Sequence, residues 1–310
     1  MHESMTVVES DHPVRPYVDR PVDDAEAARR AAIVAAGEWG LGGAREVRLL
    51  RMGMNAIFTA GGAVLRVSTP TVDAAWSIRL AEMLADVGLR VTTPLRPGAI
   101  HVDGFGVTCW EHVETSGTPI DWRAVGAMVR RVHQLDSADL PAGYPAPSPS
   151  TFPWWDFDAL SIETRDAIDP AAFEGLRGAV DRHRGWADFD QTVVCHGDVH
   201  PGNVLMAHDG PVLIDWDLLC RAPAGWDHAP LMTWGERWGG DGTEYTAFAA
   251  GYGRSLRGDQ WADSFAELRL VAATLMRVRA GLGDTSAMVE ARRRLRYWAG
   301  DHDAPTWSAQ

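Results

Sequence analysis

The 310-residue chain contains no lysine; all 29 of its basic residues are arginine. That absence excludes a P-loop, which ends in Gly-Lys-Ser/Thr, and it excludes Schiff-base lysines and Ser-Lys dyads. Cysteine is scarce. Cys109, Cys195 and Cys220 are odd in number and far apart, which fits neither a disulfide framework nor a zinc site and leaves reduced thiols. No apolar run approaches the roughly 18 residues that span a bilayer. The opening residues, MHESMTVVESDHPVRP, lack the basic-then-apolar order of a signal peptide. A cytoplasmic protein with no membrane partner is expected. Positive charge is also short: 29 basic against 42 acidic residues give a net charge of −13. With no block of positive charge, no nucleic-acid partner is expected, whereas cationic small molecules are tolerated.

What remains is a folded composition, with 46% hydrophobic and 23% charged residues. Residues 1–20 are polar and proline-punctuated and read as a tail or strap. An alanine-rich helical pattern runs from Asp23 to Trp39, with Gly40 just past its end. The period then changes: EVRLLRMGM, NAIFTA and AVLRV are short β-type runs separated by Gly53 and by Gly61-Gly62, an antiparallel meander. Trp76, Leu80, Met83, Leu84 and Val87 recur at helical spacing up to Gly88. Strand-like pieces follow around Val91–Leu95 and Gly106–Trp110. These make a small lobe of five strands and an inserted helix over residues 21–113. Residues 114–310 read as mostly helical, opening with a helix after Asp121 and a proline-rich linker at 141–153. Oligomeric state leaves no trace in the sequence.

One β-type island interrupts the helices: TVVCHGDVHPGNVLMAHDGPVLIDWD, residues 192–217. A strand leads into the loop His196–Asn203, and a hairpin about Asp209-Gly210 leads to Asp215-Trp216-Asp217. Asp198, Asn203 and Asp215 are thereby parked at strand ends. Hard oxygen donors of this kind suit Mg²⁺, and a carboxylate beside them can take a hydroxyl proton. Gly-Asp-x-His also occurs in metallophosphatases, but the further Asp, Asn-His and Gly-His ligand segments of that class are missing here.

HGDVHPGN followed by IDWD resembles the catalytic and metal-binding segments of the aminoglycoside phosphotransferase/choline kinase family, relatives of the protein kinases. The resemblance implies an α+β, two-lobed protein-kinase-like fold: a small nucleotide-binding lobe with a five-stranded antiparallel sheet and a larger, mainly helical lobe. It implies ATP and Mg²⁺ as cofactors and a small-molecule hydroxyl as acceptor. Residue by residue, Asp198 is the base, Asn203 and Asp215 are the metal ligands, and His196 braces the loop. Asp227 in GWDHAPL supports the loop, and Asp217 stands where relatives have Glu or another polar residue.

The resemblance also requires a cation on the third strand, and without lysine Arg66 in AVLRV is the candidate for phosphate contact. The glutamate that should hold it falls at Ser77, a departure from the family pattern. Asp73, one turn earlier on the same face, is the candidate replacement, and Glu82 lies on the far, solvated face. Gly53-Met54-Asn55 corresponds to the loop over the phosphates, with Asn55 among the nucleotide contacts. Trp110, Glu111 and Val113 mark the hinge that would read an adenine edge. Acceptor residues are expected within 231–285, with Trp234, Glu236 and Glu267 foremost. There, aromatic and acidic groups suit a polyhydroxylated amine such as an aminoglycoside, an amino sugar or a choline-like alcohol. Antibiotic resistance is one role such an enzyme can have. The rival reading is a nucleotide-binding pseudokinase, motivated by the missing glutamate; a kinase acting on protein side chains ranks last, with no activation segment between Asp215 and Asp227.

Overall fold

The computed structural model of the chain describes residues 14–308. Helix α1 (Ala25–Glu38) begins where the Asp24 carboxylate accepts a hydrogen bond from the Ala27 N–H, and Ala27, Ala28, Ala31, Ala32, Ala35 and Ala36 form its buried stripe. Side chains this small let the helix lie close on a sheet. That sheet starts with the meander β1 (Arg48–Met52), β2 (Ala56–Ala60) and β3 (Ala63–Ser68), where inward-facing residues alternate along β2 and β3. Helix α2 (Ala75–Asp86) intervenes before β4 (Ile100–Val102) and β5 (Phe105–Glu111) complete an antiparallel sheet of order β1-β2-β3-β5-β4.

Five strands are found as expected, but the fourth lies at Ile100–Val102 and not at Val91–Leu95. Pro94 has no N–H to contribute to a ladder. The segment instead makes single bridges, Pro94 to Trp110 and Val91 to Leu213, and so ties the small lobe to the large one.

The large lobe begins with α3 (Trp122–Val132), capped by Asp121, and continues through α4 (Phe157–Thr164) and α5 (Pro170–Arg182). The β-type island follows, as β6 (Val193–Cys195), β7 (Val204–Ala207), β8 (Gly210–Leu213) and a short β9 (Cys220–Ala222) that pairs with β6. Helices α6 (Gly225–Met232), α7 (Trp234–Arg237), α8 (Thr243–Tyr252), α9 (Gln260–Gly281) and α10 (Thr285–Trp298) complete it. Among the described residues, no helix is long and apolar enough to cross a membrane.

There are two main cores. One lies between α1 and the sheet. The other fills the helical lobe and also takes in Tyr17, Val18, Leu80 and Leu84, so the inner faces of α2 and of the N-terminal segment belong to the large lobe. Residues 1–13 of the expected tail lie outside the described residues. Residues 14–20 form a strap whose Tyr17 and Val18 are fully buried. The proline-rich segment 141–153 is likewise no free linker, because Tyr144 and Phe152 are buried in the large core.

Candidate active site

The loop between β6 and β7 is pinned from below. Asp227 on α6 is fully buried and accepts hydrogen bonds from the N–H groups of His196 (2.8 Å) and Gly197 (2.8 Å), while His133 Nε2 approaches the same carboxylate at 3.0 Å. Helix α6 can sit this deep because Gly225 meets α9; a Cβ there would lie 2.6 Å from the Ala262 backbone. Gly197 itself has φ +98°, and a side chain on it would collide with the Leu218 carbonyl at 1.9 Å, so glycine is required. The Gly197 carbonyl accepts from Trp226 Nε1 (3.0 Å) and from Arg269. His196 spans the loop, its Nε2–H donating to the Ile214 carbonyl (3.0 Å) and its Nδ1 accepting from the Asp198 N–H (3.3 Å). Burial lowers its pKa, so the imidazole is neutral and braces the loop.

This frame presents Asp198. One carboxylate oxygen accepts from Arg269 on α9 (3.1 Å), and the other from Asn203 Nδ2 (3.1 Å) with His200 Nε2 at 3.3 Å. His200 Nδ1 accepts from the Gly202 N–H (3.1 Å), which leaves the proton on Nε2, facing Asp198. Burial alone would raise the Asp198 carboxyl, but His200 and Arg269 outweigh it and hold the group well below the usual carboxylate range. It is an anion with both oxygens engaged.

Asp215 stands beside this cluster in the left-handed region, φ 65° and ψ 65°, unusual for a residue with a side chain and frequent where function over-determines geometry. Burial and the neighbouring Asp217 raise its pKa to about 7, with Arg66 opposing and Asp198 adding to the rise. Asn203 contributes the complementary observation: its Oδ1 is buried with no hydrogen-bond partner. An orphaned amide oxygen beside crowded carboxylates is a donor set that fits a hard divalent cation.

Across the cleft, Arg66 forms an ion pair with Asp217, and Asn55 Nδ2 donates to the other Asp217 oxygen (2.8 Å). Both side chains of the pair are nearly buried. The Asp73 expectation is therefore corrected. Asp73 lies just before α2, accepting from the Ala75 N–H (2.9 Å) and facing His101 at 3.8 Å, while the opposite lobe supplies the carboxylate that Arg66 uses. Ser77 is buried and donates to the Ala74 carbonyl (2.8 Å), and Glu82 is exposed.

At the hinge, Trp110 is buried with its indole N–H on Thr108 Oγ1 (2.7 Å). Glu111 is committed to Thr93: its N–H donates to the Thr93 carbonyl (2.9 Å) and its carboxylate accepts from the Thr93 N–H (2.8 Å). The Glu111 N–H is therefore not free for an adenine edge, and Val113 follows beyond the end of β5.

On α7, Trp234 stacks on His200 (centroids 6.3 Å apart, interplanar angle 18°) and on Trp238 (5.7 Å, 14°), an aromatic wall leading away from Asp198. Glu236 is exposed on α7. Glu267 is corrected: it is held by Arg182 and by His183 Nε2 (2.7 Å), joining α9 to α5. Two residues along a helix point about 200° apart, so while Arg269 reaches Asp198, Glu267 faces away.

Arg269, His200 and the Asp217 pairing were missed from sequence. Arg269 shares α9 with Asp263, Glu267, Arg277 and Arg279, so nothing local singles it out. A five-stranded lobe over a helical lobe, with these polar groups on the seam, defines a protein-kinase-like fold. The chain belongs to the phosphotransferase enzyme family, whose sequence profile matches residues 57–271.

Among solved structures, the amicoumacin kinase hAmiN in complex with AMP-PNP, Ca²⁺ and Ami is similar at a TM-score of 0.64 and 12% identity, covering 93% of this chain and 98% of that one. A choline/ethanolamine kinase family protein from Mesorhizobium loti is similar at 0.60 and 17%, covering 90% and 95%. The spectinomycin phosphotransferase APH(9)-Ia with ADP and its antibiotic is similar at 0.60 and 16%, covering 81% and 88%. No curated protein sequence matches the chain.

Proposed function

We propose that the chain is an ATP-dependent small-molecule kinase that moves the γ-phosphoryl group to a hydroxyl. The observation that carries this reading is the convergence of Asp198, Asn203 and Asp215, with one Asn203 oxygen left without a partner. Asn203 and Asp215 would hold Mg²⁺, which supplies neutralisation of charge on the phosphates. Arg66 contacts the phosphates from the small lobe and Asn55 approaches from the loop above. The hinge from Trp110 to Val113 places the base, with Val113 rather than Glu111 offering backbone N–H. Asp198 orients the acceptor hydroxyl and takes its proton as the new P–O bond forms and the bond to ADP breaks. Strong hydrogen bonds make Asp198 a weak base, which suits a loose transition state where orientation outweighs early proton removal. The acceptor lies along the Trp234 wall, where aromatic faces favour a cationic polyol or amino alcohol; nucleotide complexes of the similar kinases support the nucleotide reading.

The test is ADP release with Mg·ATP across aminoglycosides, amino sugars, choline-like alcohols, macrolides and peptide antibiotics. An acceptor-dependent signal is expected. A protein that binds Mg·ATP but stays silent across chemically wider panels supports the rival pseudokinase reading, which the pairing of both Arg66 and Asn55 with Asp217 favours.

Arg269→Gln removes a charged hydrogen bond from Asp198. Turnover is expected to fall roughly 10- to 100-fold, the scale of such a bond, with nucleotide affinity unchanged. Steady-state kinetics beside Mg·ATP titration checks this, and equal loss in both would sink the assignment.

A further inference from the structure

The space next to Arg66 that a helix carboxylate would fill is occupied by an aromatic ring from the strap. Tyr17 has no solvent exposure, and its ring centroid lies 5.5 Å from the Arg66 guanidinium carbon. Its hydroxyl donates to the Ala74 carbonyl at the start of α2 (3.0 Å), the same carbonyl that accepts from Ser77 (2.8 Å). The ring stacks on Tyr144 of the large lobe, centroids 5.2 Å apart and planes within 7°. Tyr144 in turn donates to the Trp216 carbonyl (2.7 Å), between Asp215 and Asp217. One side chain thus touches α2, the cation on β3 and a residue that holds the acidic segment.

We propose that Tyr17 is the positioning residue of the Arg66 phosphate clamp, taking the place of a carboxylate on α2. The inference rests on the kinase reading above. The physical distinction from a carboxylate matters. A glutamate holds a cation by neutralising it, whereas the face of a ring holds a guanidinium and leaves its charge available. Asp217 supplies the counter-charge, and arriving phosphates compete with it for Arg66. Tyr17 does not compete, so it keeps the guanidinium in the cleft when the Asp217 pairing loosens.

Binding of Mg·ATP to the full chain, followed by titration calorimetry, needs no acceptor and tests this directly. Tyr17→Leu, which keeps apolar bulk but loses the ring, should weaken binding by about 2- to 30-fold, the range of a cation over an aromatic face. Tyr17→Phe should recover most of that loss. Tyr17→Met, which fills irregular space, is measured beside Leu so that a folding defect in one variant does not decide the outcome. In an Arg66→Gln background, Tyr17→Leu should add less than about twofold, since coupled residues are not additive. Unchanged affinity in a folded Tyr17→Leu or Tyr17→Met protein overturns the inference alone, as does the same loss with and without Arg66. A wild-type chain that binds no Mg·ATP overturns the kinase reading and this inference with it.

Discussion

Asp198→Asn is expected to lower turnover by about 10²–10⁴-fold, the usual contribution of a positioned base. The substitution keeps the shape of the side chain, so the fold and Mg·ATP affinity should hold within about threefold while the chemical step fails. The amide can still accept from Arg269, but the His200 and Asn203 donors lose a charged partner, and the base of the proposed mechanism is gone. Single-turnover kinetics with a responsive acceptor separates the two effects. Turnover within about threefold of the wild type would show that Asp198 is an ordinary loop residue.

Asp227→Ala should cost about 3–5 kcal/mol of stability, the scale of breaking a buried charged pair. Two loop N–H groups lose their acceptor and His133 is left buried without its partner. Denaturant melts read the loss, and a midpoint equal to the wild type would refute it. The same pair predicts a pH dependence. Burial disfavours a charged His133, but Cys195 and Asp227 raise its pKa from 6.5 to about 10. The folded chain therefore holds a proton that the unfolded chain releases near 6.5. The stabilisation is complete below that value and is lost as pH rises through about 10. Asp227→Asn should flatten the wild-type decline across that window.

Much of this was legible in the sequence where local periodicity or spacing carried it. The alanine stripe of α1, the meander β1–β3, the capping by Asp121 and the paired loop and hairpin all follow from patterns a few residues long. What escaped was set by tertiary approach. Arg66 looked orphaned because a helix partner was sought near in sequence, while its carboxylate comes from Asp217, 151 residues on. Tyr17 sat in a stretch whose prolines and charges mask one buried ring. Glu267 and Arg269 differ only by which side of α9 they occupy, and a helix buried nearly all round gives no amphipathic signal to separate them.

The strap has a consequence for synthesis. Tyr17 leaves the ribosome well before its stacking partner Tyr144, and Arg66 well before its counter-ion Asp217. At translation speeds of about 5–20 residues per second, the emerging small lobe waits on the order of ten seconds with a guanidinium that it cannot bury. A fragment ending at Val113 should therefore stay open along that seam and invite chaperones, so the small lobe is a poor candidate for expression by itself.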